Sequence, residues 1–249
     1  MISACLAICC LGDIKIATAI SVVDSITAGN ALHYRSYVDY VDSCVNEGNV
    51  PALYDDWFKG SNDDGVNMSL YANFDAAIDR SRSAVATQFL DEPNRTGDVL
   101  VFIDYDIMFD APTLHQLIKD CYATKSIVVG PYAIKNEKVP PDICVNLLKG
   151  NSLKLRTGKP ELLEVRYGGT GFMAIHIDVL RKMAETMETV ECGSNFYPFF
   201  LPITVDGKYL SEDFSFCYKA RELGFKVWCD PNLWLGHVGA KIFENFPKT

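Results

Sequence analysis

The sequence has no basic cluster, no Cys-x-x-Cys pair, no linker-like tract and no apolar run long enough to cross a bilayer, and each absence removes a class of protein. With Lys and Arg scattered and a formal net charge of -9, the long-range field repels a phosphate backbone, so nucleic acid is not an expected partner. The nine cysteines (5, 9, 10, 44, 121, 144, 192, 217 and 229) are odd in number and suggest neither a zinc site nor a disulfide framework. Several of them lie in apolar segments, where free cysteine behaves as a small hydrophobe, and this reads as a reducing compartment, the cytoplasm, or the host cytoplasm for a viral protein. The Asn-x-Ser/Thr sequons at Asn67 and Asn94 would matter only in a secreted protein. No Gly/Ser-rich or Pro-rich stretch, internal repeat or low-complexity tract offers a place to divide the chain.

The N-terminal apolar run, residues 2–11, is about the length of a signal-peptide core. It lacks a basic leader and is too short to span a membrane, so it reads as a buried strand or an upstream extension, with export or membrane association as the alternative. The 249 residues are 49% hydrophobic and 22% charged, enough to bury a sizeable core, and they are expected to form one domain over 1–249 with its core at about 13–240.

Periodicity supplies the element order. Residues 13–20 are apolar and β-branched and read as a first strand, followed by a loop from Ser21. From 69 to 90, Leu70, Phe74, Ile78, Val85 and Phe89 recur at helical spacing, which predicts one long amphipathic helix. Residues 98–103 are nearly all apolar, as in a central strand covered on both faces. Helices are predicted at 113–123, 178–187 and 212–223, the last closed by Gly224, and strands at 126–129, 171–175 and 225–229. Strands alternating with helices indicate an α/β fold with a mostly parallel central sheet flanked by helices.

The predicted strand in VLVFIDYDIMF runs directly into Asp104-Tyr105-Asp106. Residues two apart in extended chain share a side, so both carboxylates can face one site at the carboxyl end of a strand, where open α/β sheets bind ligands. Hard oxygen ligands suit Mn2+ or Mg2+, and such an ion can bridge phosphate oxygens and offset charge on a departing diphosphate. The plainer alternative is an acidic pair that caps a turn.

FIDYDIMF resembles the metal-binding signature of GT-A glycosyltransferases, a nucleotide-diphospho-sugar transferase fold of Rossmann-like type. YGGTGFMAI, YLSEDFSFCYKARELGF and LGHVG follow it in the order and approximate spacing of compact members from large DNA viruses, phages and bacteria. The resemblance spans about residues 13–239 and is carried by four segments together.

It implies a metal-dependent transfer of a sugar from a UDP- or GDP-sugar to a hydroxyl of a glycan or glycoconjugate. Asp106 would be a direct metal ligand, Asp104 would contact the metal, its water shell or the donor ribose, and His237 would close the coordination sphere from a separate loop. Asp213, or after it Glu212, would be the acceptor-side base of an inverting enzyme; inversion or retention stays open. Gly169 and Gly171, in the segment Tyr167 to Phe172, would line the donor and acceptor pocket. Thr18, Ala19 and Ile20 would receive the nucleotide base, and Arg82 would lie near the nucleotide, although Ser83 follows it where relatives commonly carry Asn. Trp228 and Trp234 read as core.

Other classes remain in view. A sugar-phosphate nucleotidyltransferase shares the layout, but 17–29, ATAISVVDSITAG, lacks the basic residue expected of its phosphate loop. A glycoside hydrolase needs two carboxylates but neither the metal nor this α/β pattern. A catalytically inactive sugar-binding protein on the same fold is the non-enzyme alternative.

Overall fold

The computed structural model describes residues 2–10, 60–61, 66–74, 77–92, 97–159 and 161–246. The segment 13–20, with Thr18, Ala19 and Ile20, lies outside the described residues. The N-terminal apolar run is a strand, β1 (Ile2–Cys10), in which Ala4 to Ala7 are buried, so the sheet begins at Ile2, ahead of the expected core boundary near 13.

Two strands follow, β2 (Gly60–Ser61) and β3 (Val66–Phe74), and then helix α1 (Ile78–Asp91). The expected helix over 69–90 is therefore corrected: its first part is strand β3, and the helix starts only at Ile78. Val66, Met68, Leu70, Ala72 and Phe74 alternate with polar or amphipathic residues, a period of two that also fits a strand. The nine-residue parallel register with β1, from Ile2↔Val66 to Cys10↔Phe74, decides between the periods.

The next elements are β4 (Val99–Asp104), β5 (Ile107–Met108), helix α2 (Ala111–Thr124), β6 (Ile127–Val129), β7 (Val145–Leu147), β8 (Leu163–Gly168), β9 (Phe172–His176) and helix α3 (Ile177–Ala184). Two hairpins, β10 (Val190–Cys192) with β11 (Ser194–Phe196) and β12 (Ile203–Val205) with β13 (Lys208–Leu210), lead to helix α4 (Glu212–Glu222). The described chain closes with β14 (Val227–Cys229), β15 (Gly236–Val238) and β16 (Ile242–Glu244).

The main sheet has nine strands in the order β2-β3-β1-β4-β9-β6-β14-β8-β7. β3, β1 and β4 are mutually parallel, β6 and β14 run the same way, and β9 is inserted antiparallel between β4 and β6. Alternation along the central strands builds a core on each face. Leu100 and Phe102 pack with Val85 and Phe89 of α1, Val179 of α3 and Phe216 of α4. Val99, Val101 and Ile103 pack with Leu114, Leu117 and Ile118 of α2. A strand buried on both faces is apolar at every position, and this is why residues 99–103 read as a continuous run.

Local chemistry sets the helix ends. Asp110 accepts a hydrogen bond from the Thr113 backbone N–H at 3.0 Å and Pro112 lies in the first turn of α2. Gly224, at φ 90°, closes the turn after α4, a conformation that only glycine adopts freely.

Candidate functional site

Backbone pairing assembles the site at the carboxyl end of β4. Asp104 is the last residue of that strand, and its N–H donates to the Gly171 carbonyl at 2.9 Å, which fixes the glycine-rich turn beside it. The chain then turns at Tyr105 and enters β5, which pairs antiparallel with β15 in the register Gly236↔Met108 and His237↔Ile107. The Val238 N–H also donates to the Asp106 carbonyl at 2.8 Å. A residue 131 positions later in the chain is thereby placed next to Asp106.

Asp106 and His237 do meet. Asp106 is 7% exposed, and its Oδ2 lies 3.5 Å from His237 Nε2. His237 Nδ1 sits 2.9 Å from the Ala133 carbonyl. A carbonyl can only accept, so Nδ1 carries a proton, and Nε2 is the ring nitrogen turned toward Asp106, able to donate to the carboxylate when protonated or to offer its lone pair to a cation when not. The Tyr132 ring packs edge-on against the imidazole at 5.3 Å and holds its orientation.

The Lys135 ammonium pairs with the same Oδ2 of Asp106. Burial alone would raise the Asp106 pKa, but hydrogen bonds and charge from His237 and Lys135 outweigh it and hold the carboxyl below the usual range. Lys135 is absent from the sequence-predicted set. Its one local signal is position: it follows β6 in a loop at the carboxyl end of a strand parallel to β14, where ligand-binding loops gather.

Asp104 belongs to a second ion-pair group. Arg82, on α1 and only 4% exposed, reaches Asp104 Oδ1 with Nη2 at 2.6 Å and Glu212 Oε1 with Nη1 at 2.8 Å. Arg82, expected near a nucleotide, is buried, and its one guanidinium fork pairs with the carboxylates of β4 and α4. Burial raises the Glu212 pKa and the neighbouring Asp213 adds to this, while Arg82 opposes both.

Asp213 lies beside Glu212 in the first turn of α4, where a carboxylate also interacts favourably with the helix dipole. Its Oδ1 accepts hydrogen bonds from Ser211 Oγ and, at 2.7 Å, from the Phe214 backbone N–H. Tyr132 feels the charges of both Asp104 and Asp213, and burial together with these neighbours and Cys144 holds its phenol well above the usual pKa. Arg82, Asp104, Glu212, Asp213, Tyr132, Asp106, Lys135 and His237 thus form one continuous polar region.

The glycine-rich turn meets a tighter constraint than sequence suggests. A Cβ on Gly169 would run into the Cys144 sulfur and the Tyr132 hydroxyl. A Cβ on Gly171 would come within 2.9 Å of Tyr132 and 3.0 Å of Asp104 Oδ2. Both glycines let the turn close onto the Tyr132 ring beneath the carboxylates. Trp234 is buried, consistent with core.

An oxygen and an imidazole nitrogen are donors that Mn2+ and Mg2+ accept, and such ions are commonly held by one or two protein groups plus substrate phosphates. Asp106 Oδ2 and His237 Nε2 fit that description. Asp104 pairs with Arg82 through Oδ1, and among the described residues no three His, Cys, Asp or Glu side chains form a ready-made metal cage. Of the expected ligand set of Asp104, Asp106 and His237, the structure brings Asp106 and His237 to 3.5 Å and pairs Asp104 with Arg82.

Among solved structures the chain is similar to A197 from STIV, with TM-score 0.54 and 14% identity over 100% of this chain and 96% of that one. It is also similar to GalNAc-T7 with UDP, GalNAc and Mn2+, with TM-score 0.54 and 14% identity over 95% of this chain and 43% of that one. The fold is that of the GT-A glycosyltransferases. No family model matches the sequence, and no curated protein does. At this identity the GT-A likeness concerns architecture, because one fold hosts many chemistries. Among the described residues no helix is long and apolar enough to cross a membrane, and Cys121, Cys144, Cys192, Cys217 and Cys229 are free thiols.

Proposed function

We propose that the protein is a single-domain, metal-dependent glycosyltransferase that moves a sugar from a UDP- or GDP-sugar to a hydroxyl of a glycan or glycoconjugate. The observation that carries this reading is the convergence of Asp106 and His237 from separate elements, with Nε2 facing the carboxylate at 3.5 Å. The GT-A fold supports it, and GalNAc-T7, one of the similar structures, contains UDP and Mn2+.

Asp106 and His237 would hold Mn2+ or Mg2+, which when bound offsets the charge that grows on the departing nucleotide diphosphate. Asp104, fixed by Arg82 at the strand end, faces the donor side, where a ribose hydroxyl or a metal-bound water can bond to it. Asp213 accepts the acceptor hydroxyl's proton, with Glu212 as the neighbouring candidate. Arg82 holds Glu212, which leaves Asp213 the freer of the two to face an acceptor. The raised pKa of Glu212 moves it toward the range where a carboxylate works as a base near neutral pH. Gly169 and Gly171 bring backbone close to the sugar, and the nucleotide base would be received by Thr18 and Ala19.

Calorimetric titration with UDP, GDP and their sugars, first with Mn2+ and then with a chelator, tests the reading. Metal-dependent binding of one nucleotide class supports it and names the donor class. Absence of binding by folded protein rejects it in favour of a nucleotidyltransferase or an inactive sugar-binding protein.

A further inference from the structure

Asp106 is nearly buried, and the Lys135 ammonium is bonded to the oxygen that also faces His237 Nε2. The other charges on this loop pair elsewhere: Lys138 with Asp142, and Glu137 with Lys241 at 2.6 Å. The loop itself is anchored by the Ala133↔Ile143 bridge and by the Ile134 N–H donating to the Asp142 carbonyl at 2.7 Å. The Lys135 stem runs past Gly239, where a Cβ would lie 3.3 Å from the lysine Cδ. Lys135 keeps 34% of its side chain exposed, so a rotation of the stem can carry the ammonium into solvent without moving the loop.

We propose that Lys135 is the built-in counter-cation of this site, competing with the divalent ion for Asp106 Oδ2 and leaving it when the ion enters. The inference rests on the metal reading of Asp106 and His237 given above. An ammonium and a divalent cation on one carboxylate oxygen repel each other, so metal affinity is reduced by the fraction of molecules in which the lysine is seated. In exchange, the nearly buried carboxylate is never left without a compensating charge.

The test is a titration with Mn2+ alone, without nucleotide, read from the electron paramagnetic resonance signal of the free ion, on wild type and on Lys135→Met, which keeps the aliphatic stem. Lys135→Met should bind Mn2+ about tenfold more tightly if the lysine is seated in about nine molecules of ten. In chelator the variant should melt below wild type, and Mn2+ should raise its melting temperature by more than it raises that of wild type. Equal or weaker Mn2+ affinity, including no binding by either protein, overturns the proposal. Lys135→Arg keeps a cation at the site and should bind Mn2+ no more tightly than wild type, so tighter binding there overturns it as well. No nucleotide is involved, so a failed nucleotide titration would sink the glycosyltransferase reading separately.

Discussion

Arg82 Nη2 lies 2.6 Å from Asp104 Oδ1, and that contact gives the two carboxylates of the Asp-Tyr-Asp turn different partners. Asp104 is tied to α1 and, through the same guanidinium, to Glu212 on α4. Asp106 pairs instead with His237 and Lys135.

Removing Arg82 leaves Asp104 and Glu212 without their shared cation. The guanidinium is buried while its partners keep 28% and 23% of their side-chain exposure. Arg82→Ala should therefore cost about 3 kcal/mol, the low end for a broken buried pair. Urea unfolding checks this, and a loss below about 0.5 kcal/mol, the size of an ordinary surface substitution, would show that the fork is not structural.

Asp106→Ala and His237→Ala should each remove the Mn2+ dependence of nucleotide binding while the circular dichroism of the fold is unchanged. Calorimetry with and without chelator reads the effect. Manganese-dependent affinity that survives in both variants would place the metal elsewhere.

Asp213→Asn should lower kcat by about 10²- to 10⁴-fold, the usual contribution of a positioned proton acceptor, with donor affinity unchanged. The same measurement on Glu212→Gln discriminates the two neighbours. A larger kcat loss in Glu212→Gln would transfer the base role to Glu212.

Gly171→Ala drives a methyl against Tyr132 and Asp104 Oδ2 and should destabilise by about 1–3 kcal/mol, as overpacking does. Combining it with Tyr132→Ala should give less than the sum of the two losses, because the second change opens the space that the first requires. Simple additivity in denaturation midpoints would contradict the steric account.

Asp120, on α2, is raised to about 7 by burial and by the Asp230 carboxylate, against a hydrogen bond from Gln116. A folded-state pKa above the unfolded value, about 3.9, means that the folded protein holds this proton more tightly. The stability it contributes is complete below about pH 4 and is lost as pH rises through about 7. Wild type should therefore lose stability relative to Asp120→Asn between pH 5 and pH 8 in urea unfolding. Parallel pH profiles would refute the assignment.

Local pattern was enough for some elements and not for others, and the split has a physical cause. The apolar run 99–103 and the Pro112 start and Gly224 stop of helices are dictated by neighbours in sequence, and they are legible there. Residues 69–74 satisfy helical and strand periods at once, and only the parallel pairing with β1 makes them β3. The Asp104-Tyr105-Asp106 turn announces a polar site at the end of a strand, but not that Arg82 takes one carboxylate. The partnership of Asp106 with His237 follows from the β5–β15 register, and that of Asp106 with Lys135 from the loop after β6. Order of motifs, the start of α2, the end of α4 and the buried central strand were determined by the sequence alone, because short-range sterics and burial decide them. Which charge sits on which carboxylate was decided only by tertiary structure, because long-range strand pairing brings those groups within bonding distance.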